Sequence, residues 1–346
     1  MRNIFSKKQR LLSIVFEEHK IRFLEASIIE REISTVHQVF SIENSIVDEG
    51  GILDKKKWTE LLKTQVKQYK IKAKSVHLVI PSSFIIVRQL TLPDVQEKDL
   101  KQMVQFEIGS TIHLPFEQPI IDLVKIKTKE PILNEEGELA AQVVLVAAPG
   151  QLIYPLVEGL QENRLKAKII DIPALSLYRL FKQLHPQLKD EPILLSYVTK
   201  EGIDIHILDE GIVWFTRHIP MVITSFLSDL SVEEVLDAKT LLERIQKKEN
   251  YQSYVFDLGN EIERAINFFQ YTLNKRDKRM KGCWIATDLP FTDSFYQYLQ
   301  ERIDVTVHQL TCQPKQINVP MTNEQLLGYE VAAGMLFKEV RHGHGN

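Results

Sequence analysis

Along the first third of the chain the apolar positions recur at a period of two and then switch to helical spacing. Leu11 to Phe16 and Ile21 to Glu30 read as a β-hairpin, and Val36 to Ile42 extends it into an antiparallel meander. Lys57 to Gln68 places Trp58, Leu61, Leu62 and Val66 on one helical face, and Ser75 to Ile80 is an apolar strand run. From Phe84 to Leu92, Ile86, Arg88, Leu90 and Leu92 alternate with Ile85, Val87, Gln89 and Thr91, which predicts a strand stopped by Pro93. Asp94 is the expected N-cap of the next helix, with Glu97 as its capping-box carboxylate. Leu100, Met103, Val104 and Ile108 form its stripe up to Gly109. Strands at Ile120 to Lys127 and Gln142 to Ala148, a polar loop at Pro131 to Glu138, a helix at Gln151 to Asn163 and a strand at Lys168 to Ile172 complete a small α/β unit.

The second half repeats the opening. After a linker around Pro186, Gln187 and Lys189 to Pro192, three strands (Ile193 to Val198, Ile203 to Leu208, Ile212 to Ile219) predict a second meander, its last turn being Asp209, Glu210 and Gly211. Leu258, Ile262, Ala265, Ile266, Phe269 and Leu273 share a helical face. A strand at Cys283 to Ala286, a helix at Phe291 to Arg302, a strand at Val305 to Leu310 and a closing helix at Glu324 to Phe337 follow. The expected class is α/β, with two lobes that each begin with a meander and are candidates for distant structural duplicates.

Composition changes this picture only by exclusion. At 346 residues, 44% hydrophobic and 26% charged, the chain is long enough for two cores, and a formal net charge of -3 gives no general reason to bind nucleic acid. No apolar run approaches the roughly 20 residues of a membrane-spanning helix, and no apolar signal core opens the chain, so a cytoplasmic protein is expected. Cys283 and Cys312 lack metal-ligand spacing and read as reduced, buried thiols. Arg2, Lys7, Lys8 and Arg10 read more simply as a solvated start than as a lipid-binding arm. His77, His113, His206 and His218 are scattered. Asp204 with His206 resembles an acid/base pair only loosely, and His342 and His344 belong to a polar tail. Hydrolase, P-loop and zincin motifs are absent, and neither a catalytic residue nor a metal site is expected.

Three strings carry a family resemblance. They are VQFEIGSTIHLPFEQP within Val79 to Pro119, VLVAAPGQLIYPLVEGLQENRLKAKIIDIPALSLYRLF from Val144 to Phe181, with Asp171, Pro173, Ala174 and Leu175 at its centre, and GNEIERAINFFQYTLN from Gly259 to Asn274. In this order they resemble the PilM family of actin-like type IV pilus assembly proteins, related to the cell-division protein FtsA. The resemblance implies a two-lobed actin-like (ribonuclease H-like) ATPase fold with a small α/β subdomain inserted in the first lobe. Residues 1–83 and 169–190 would form the first lobe, 84–168 the insert and 191–346 the second lobe.

Such proteins hold Mg-ATP between the lobes with two D-x-G loops and a Gly-Gly adenosine loop, because glycine lets backbone N–H groups approach phosphate and aspartate organises the metal. By that resemblance Val15 stands for the first aspartate, Glu17 for the glycine and Glu18 for a hydroxyl residue. Ser196 and Val198 replace the second aspartate and glycine, and Thr287 and Asp288 follow the strand where Gly-Gly belongs. Two carboxylates facing phosphates about 4 Å away would repel by roughly 4 kcal/mol per charge pair. Lys200 is the one cation placed to attract a phosphate. The expectation is a pseudo-ATPase with no cofactor.

Function would then lie in surfaces. The resemblance implies a groove between first lobe and insert that takes the N-terminal tail of a PilN-like bitopic membrane protein, with Phe84, Ile86, Arg88, Leu114 and Phe116 as the expected contact residues. A pilus motor ATPase and a second copy of the chain are further partners it allows; nucleic acid is not among them. The expected role is a non-catalytic adaptor, cytoplasmic and peripheral at the inner face of the membrane. The alternatives are an active actin-like ATPase using Mg-ATP through non-standard loops, and an FtsA-like filament protein, which would need an amphipathic anchor where this chain reads KEVRHGHGN.

Overall fold

The computed structural model describes residues 8–29, 32–47, 53–116, 118–127, 131–134, 137–226, 248–273, 275–312 and 326–338. Arg2, Lys7, Asn274, Glu324, His342 and His344 lie outside them. The chain opens with β1 (Gln9–Phe16), β2 (Lys20–Ile29) and β3 (Glu32–Glu43), an antiparallel meander. β1 and β2 are buried over nearly their whole length, and besides their aliphatic residues they bury Ser13, Arg22, Glu25 and Ser27. Helix α1 (Lys55–Gln68) starts at Asp54, whose Oδ1 accepts from Lys57 N (3.0 Å), and leads to β4 (Ser75–Val79).

A second, antiparallel sheet interrupts this one. It comprises β5 (Ile86–Pro93), β6 (Pro119–Lys125), β7 (Ile132–Leu133) and β8 (Leu139–Pro149), ordered β5-β8-β6 with β7 also on β8. Helix α2 (Glu97–Glu107) covers one face through Leu100 and Val104, which pack with Leu123, Val143 and Leu145. The chain returns through α3 (Gly150–Glu162), β9 (Lys166–Asp171) and α4 (Pro173–Leu184). The remaining strands are β10 (Ile193–Val198), β11 (Gly202–Asp209), β12 (Ile212–Pro220), β13 (Cys283–Thr287) and β14 (Val307–Gln309), with helices α5 (Lys248–Asn267), α6 (Asp293–Gln300) and α7 (Glu330–Leu336). The first sheet runs β3-β2-β1-β4-β9 and the last β12-β11-β10-β13-β14. In each, three meander strands are antiparallel and two more are added in parallel, so the duplicate lobes expected from the two meanders share one topology.

Several local expectations are corrected. Asp94 does not cap α2; Gln96 does, without a side-chain bond, and Asp94 instead pairs with Lys125 across to β6. Ser82–Phe84 is a single 3₁₀ turn, so the strand begins at Ile86. The last helix is short because Gly328 takes a positive φ of 82° just before it. A further helix, α4, follows β9 directly; Pro173 stands in its first turn, seven of its twelve residues are buried, and Arg179, Lys182 and Gln183 form its more polar side.

Two helices also pack away from the lobe to which sequence position assigned them. α3 lies within 84–168 but packs on α1: Trp58 is fully buried, its Nε1 donates to Leu156 O (3.0 Å), and a Cβ on Gly159 would come within 2.4 Å of its ring. α7 lies within 191–346 but packs on α4 and β1 of the first lobe. Small residues allow this, since a Cβ on Gly334 would lie 2.0 Å from Ser176 O and Ser176 Oγ donates to Val331 O (2.6 Å).

Candidate functional site

The first candidate site lies between the lobes, at the carboxyl ends of β1 and β4, where open α/β sheets ordinarily bind ligands. Val15, Phe16, Glu17, Glu18, Pro81 and Ser82 face Tyr197, Thr199, Asp204 and His218 around a cavity of about 20 Å³. That holds about one water, whereas a small-molecule site typically measures about 300–1,000 Å³.

The cleft is filled by its own charges. Arg22, on β2, donates from Nε to Glu17 Oε1 (2.6 Å) and from Nη2 to Asp288 Oδ2 (2.7 Å) in the other lobe. Lys20 Nζ donates to the same Asp288 oxygen (2.8 Å). The Tyr197 hydroxyl donates to Glu17 Oε1 (2.8 Å) and stands 3.1 Å from Gly328 O. Arg22, Glu17 and Asp288 expose only 5%, 11% and 4% of their side chains, so the network is largely out of water. Burial raises the Glu17 carboxyl above its ordinary value, and the charge and hydrogen bond of Arg22 oppose that shift. A second bridge stands beside it. His218 Nδ1 is 2.8 Å from Asp204 Oδ1, and its Nε2 is 3.5 Å from Glu18 Oε1 of the first lobe. Burial disfavours the imidazolium, but the hydrogen bond and charge of Asp204, together with the charge of Glu18, outweigh it and raise the pKa of His218.

The nucleotide-loop positions are therefore changed in more than sequence. Glu17 and Glu18 do not point into an open phosphate site; each is engaged by a cation or an imidazole. Val15 and Val198 are buried core residues. Ser196 Oγ donates to Asp204 O (2.9 Å), tying β10 to β11. Thr287 Oγ1 accepts from Leu289 N (2.9 Å), and Asp288 is the second lobe's anchor for Lys20 and Arg22. Lys200 stands 3.5 Å from Glu201 and does not line the cavity. The residues present do not fit Mg-ATP: there is neither space for it nor a free carboxylate pair for the metal. Among the described residues no group of three His, Cys, Asp or Glu is placed to hold a metal ion. Asp204 and His206 do not pair; His206 Nδ1 lies 2.7 Å from Thr216 Oγ1, and burial lowers its pKa to about 4. Cys283 and Cys312 are free and buried, and burial pushes both thiols up.

The second candidate is a groove of about 170 Å³ between the first lobe and the insert. One wall is β9 and the start of α4 (Ile170, Asp171, Ile172, Leu175), the other is β6 (Ile120, Ile121, Asp122, Val124), and Val146, Ala147, Ala148 and Ile153 lie between them. β9 is the last strand of its sheet and β6 the last strand of the insert sheet, so each keeps one side without a strand partner among the described residues. The lining is aliphatic apart from two carboxylates. Asp171 is held by Arg179 (2.6 Å) and Lys338 (3.0 Å), and Asp122 by Lys101 (2.6 Å). Two unpaired strand edges beside aliphatic pockets suit an extended peptide, which would take backbone bonds from an edge and seat alternate side chains.

None of the five expected contact residues lines this groove. Phe84 is half-buried in the 3₁₀ turn and packs on the main core. Ile86 and exposed Arg88 are on β5, the opposite edge of the insert sheet, which faces β12; Gln89 Nε2 there donates to Trp214 O (3.5 Å). Leu114 joins the core under α2, and Phe116 is half-buried ahead of β6. The expected residues fall on the other edge or in the core because sheet order is not encoded in strand periodicity. The aliphatic residues of Pro119 to Lys125 were the available signal.

The family model described as "Type IV pilus assembly protein PilM" matches residues 15–311. Among solved structures, a PilM–PilN type IV pilus biogenesis complex aligns over 96% of this chain and 99% of its own, at 15% identity and a TM-score of 0.75. The ethanolamine utilization protein EutJ from Carboxydothermus hydrogenoformans aligns over 94% of this chain and 89% of its own, at 9% identity and a TM-score of 0.50. No match is found among curated protein sequences. The expected two-lobed actin-like α/β fold is thus the fold observed.

Proposed function

The chain belongs to the PilM family of type IV pilus assembly proteins, and from that membership we propose that it acts as a non-catalytic adaptor, holding the N-terminal cytoplasmic tail of a PilN-like bitopic protein in the groove between β6 and β9. The observation that carries this reading is the contrast in space: about 170 Å³ of aliphatic groove against about 20 Å³ in the cleft. A tail of alternating aliphatic residues matches the groove's lining, and a basic residue in it would meet Asp122 or Asp171. The protein itself works at the inner face of the membrane through this partner. No helix among the described residues is long and apolar enough to cross a membrane.

The test is a calorimetric titration of the full chain with a synthetic peptide of such a tail. The reading predicts saturable binding that is lost in Val124→Glu, a substitution at a side chain already 44% exposed, and kept in Arg88→Ala on the opposite edge. Equal binding by both variants would move the site elsewhere, and no binding to the unmodified protein would sink the adaptor reading.

A further inference from the structure

The parallel part of the first sheet determines where that lobe collects its charge. β1 pairs in parallel with β4, and β4 with β9, with Leu11 opposite Ser75 and Ser75 opposite Lys166. All three strands therefore start at one end of the lobe, and the cleft lies at the other, past Val15 and Pro81. Helix α3 ends three residues before β9 and α1 six residues before β4, so the connections Tyr69 to Lys74 and Asn163 to Leu165 both run into the starting end.

That end carries Lys67 in the last turn of α1, Lys70, Lys72 and Lys74 before β4, Arg164 after α3, and Lys166 at the start of β9, where its N–H donates to Lys74 O (2.8 Å). All six are exposed, and none forms an ion pair with a described residue. No Asp or Glu occurs between Glu60 and Asp94, or between Glu162 and Asp171. Two carboxylates flank the cluster and both are engaged: Glu162, the last residue of α3, pairs with Lys55 (3.1 Å), and Glu25 is buried, accepting from Lys72 N (2.8 Å) and Ala73 N (2.6 Å) with Arg10 at 3.7 Å. Glu32, at the start of β3, lies on the opposite flank of the sheet. A chain with a formal net charge of -3 thus presents one strongly cationic end.

Two of these cations sit where the backbone does not favour them. Lys70 has φ 51° and Arg164 φ 58°, each one residue past a helix cap, with Ile71 N to Val66 O (3.0 Å) and Leu165 N to Leu160 O (2.9 Å) closing the same helix-end motif. Glycine is the usual occupant of that position. A helix dipole attracts a cation to its C-terminus, which accounts for Lys70 and Arg164 in part, but not for Lys72, Lys74 and Lys166 on the strand connections.

We propose that this end of the first lobe is a docking face for an anionic phospholipid surface. Five of the six cations are lysines, compact charges on flexible stems that suit a diffuse layer of lipid phosphate; recognition of single phosphates or carboxylates on a macromolecule favours the bidentate fork of arginine. No aromatic ring is offered for stacking on a base, since Tyr69, the ring within this stretch, is stacked on Phe40 with centroids 3.6 Å apart. The face does not depend on the groove reading. The groove uses Ile170 to Ile172 at the far end of β9, so either function is lost without the other.

Flotation of the full chain with phosphatidylcholine vesicles, with and without phosphatidylglycerol, tests it. Binding is expected only with the anionic lipid and should fall away by about 0.5 M salt. Each cation removed should lower partition about fivefold, which corresponds to about 1 kcal/mol per residue at an anionic surface, so Lys72→Gln, Lys74→Gln and Lys166→Gln together cost about 100-fold. Lys70→Gly with Arg164→Gly separates charge from fold: it relieves two positive-φ residues, should raise the melting temperature by about 1–2 °C, and should still weaken vesicle binding about 25-fold. Equal binding to both kinds of vesicle, or no loss in these variants, would overturn the proposal. So would binding to polyglutamate or single-stranded DNA under conditions where vesicles are not bound.

Discussion

The interlobe cleft and the groove at β9 are built from the ends of the same first sheet, yet they are packed by opposite rules. The cleft is small, polar and crossed by side chains from both lobes: Lys20, Arg22, Glu17 and Glu18 on one side, Tyr197, Asp204, His218 and Asp288 on the other. The groove is larger and aliphatic, and its flanking strands have unpaired sides. In the cleft, the positions at which the family resemblance expects phosphate and metal ligands supply an internal clasp. The two lobes are bridged by protein side chains, and on the proposed reading recognition falls to the groove, which needs no metal.

The largest break in this comparison should come from removing the cation at the centre of the clasp. Arg22→Leu leaves Glu17 and Asp288 buried without their partner and is expected to destabilise the fold by about 3–5 kcal/mol, read from urea midpoints; combining it with Glu17→Gln and Asp288→Asn should recover most of that loss, since replacing a whole buried ion-pair set is far cheaper than halving it. In the groove, Val124→Glu should weaken tail binding at least tenfold, or about 1.4 kcal/mol, while leaving the melting temperature within about 1 °C of the parent, because the side chain is already at the surface. Tyr197→Phe removes the hydroxyl that donates to Glu17 and should cost about 1–2 kcal/mol in stability without touching tail binding.

The smallest effect belongs to the outer bridge. The pKa of His218 is raised above 6.5 in the folded protein, so its contribution is full below the unfolded value and disappears as pH rises through the folded one. The stability difference between the parent and His218→Gln should therefore be about 0.5–1 kcal/mol near pH 6 and vanish in mildly alkaline buffer. A difference that grows with pH would mean that His218 is not the charged member of this bridge.

Much of the fold was legible because burial and periodicity agree. The two meanders, α1, α3 and the strands of the insert follow directly from their apolar patterns. α4 was not, because its proline at the first turn, directly after the strand, reads as a stop. The departure from D-x-G loops was legible at Val15, Glu17, Ser196 and Val198. What replaced them was not: Asp288 meets Arg22 across 266 residues of chain, and nothing near either position announces the pair. The groove at the junction of first lobe and insert is lined by β6 and not by the β5 residues expected, since the choice between β5 and β6 as the flanking edge is made by sheet order. The cationic end was hidden for the same reason, its lysines being brought beside Arg164 and Lys166 only by the parallel pairing of β4 with β9.

The central claim, that the clasp has taken the place of a nucleotide, is tested most directly by titrating Mg-ATP into the purified full chain in a calorimeter while following its thermal unfolding. The account predicts no saturable heat and no rise in melting temperature up to about millimolar nucleotide. A saturable response, with stabilisation approaching the roughly 2.7 kcal/mol expected at 100 times the dissociation constant, would mean that the ion pairs open for nucleotide and would contradict it.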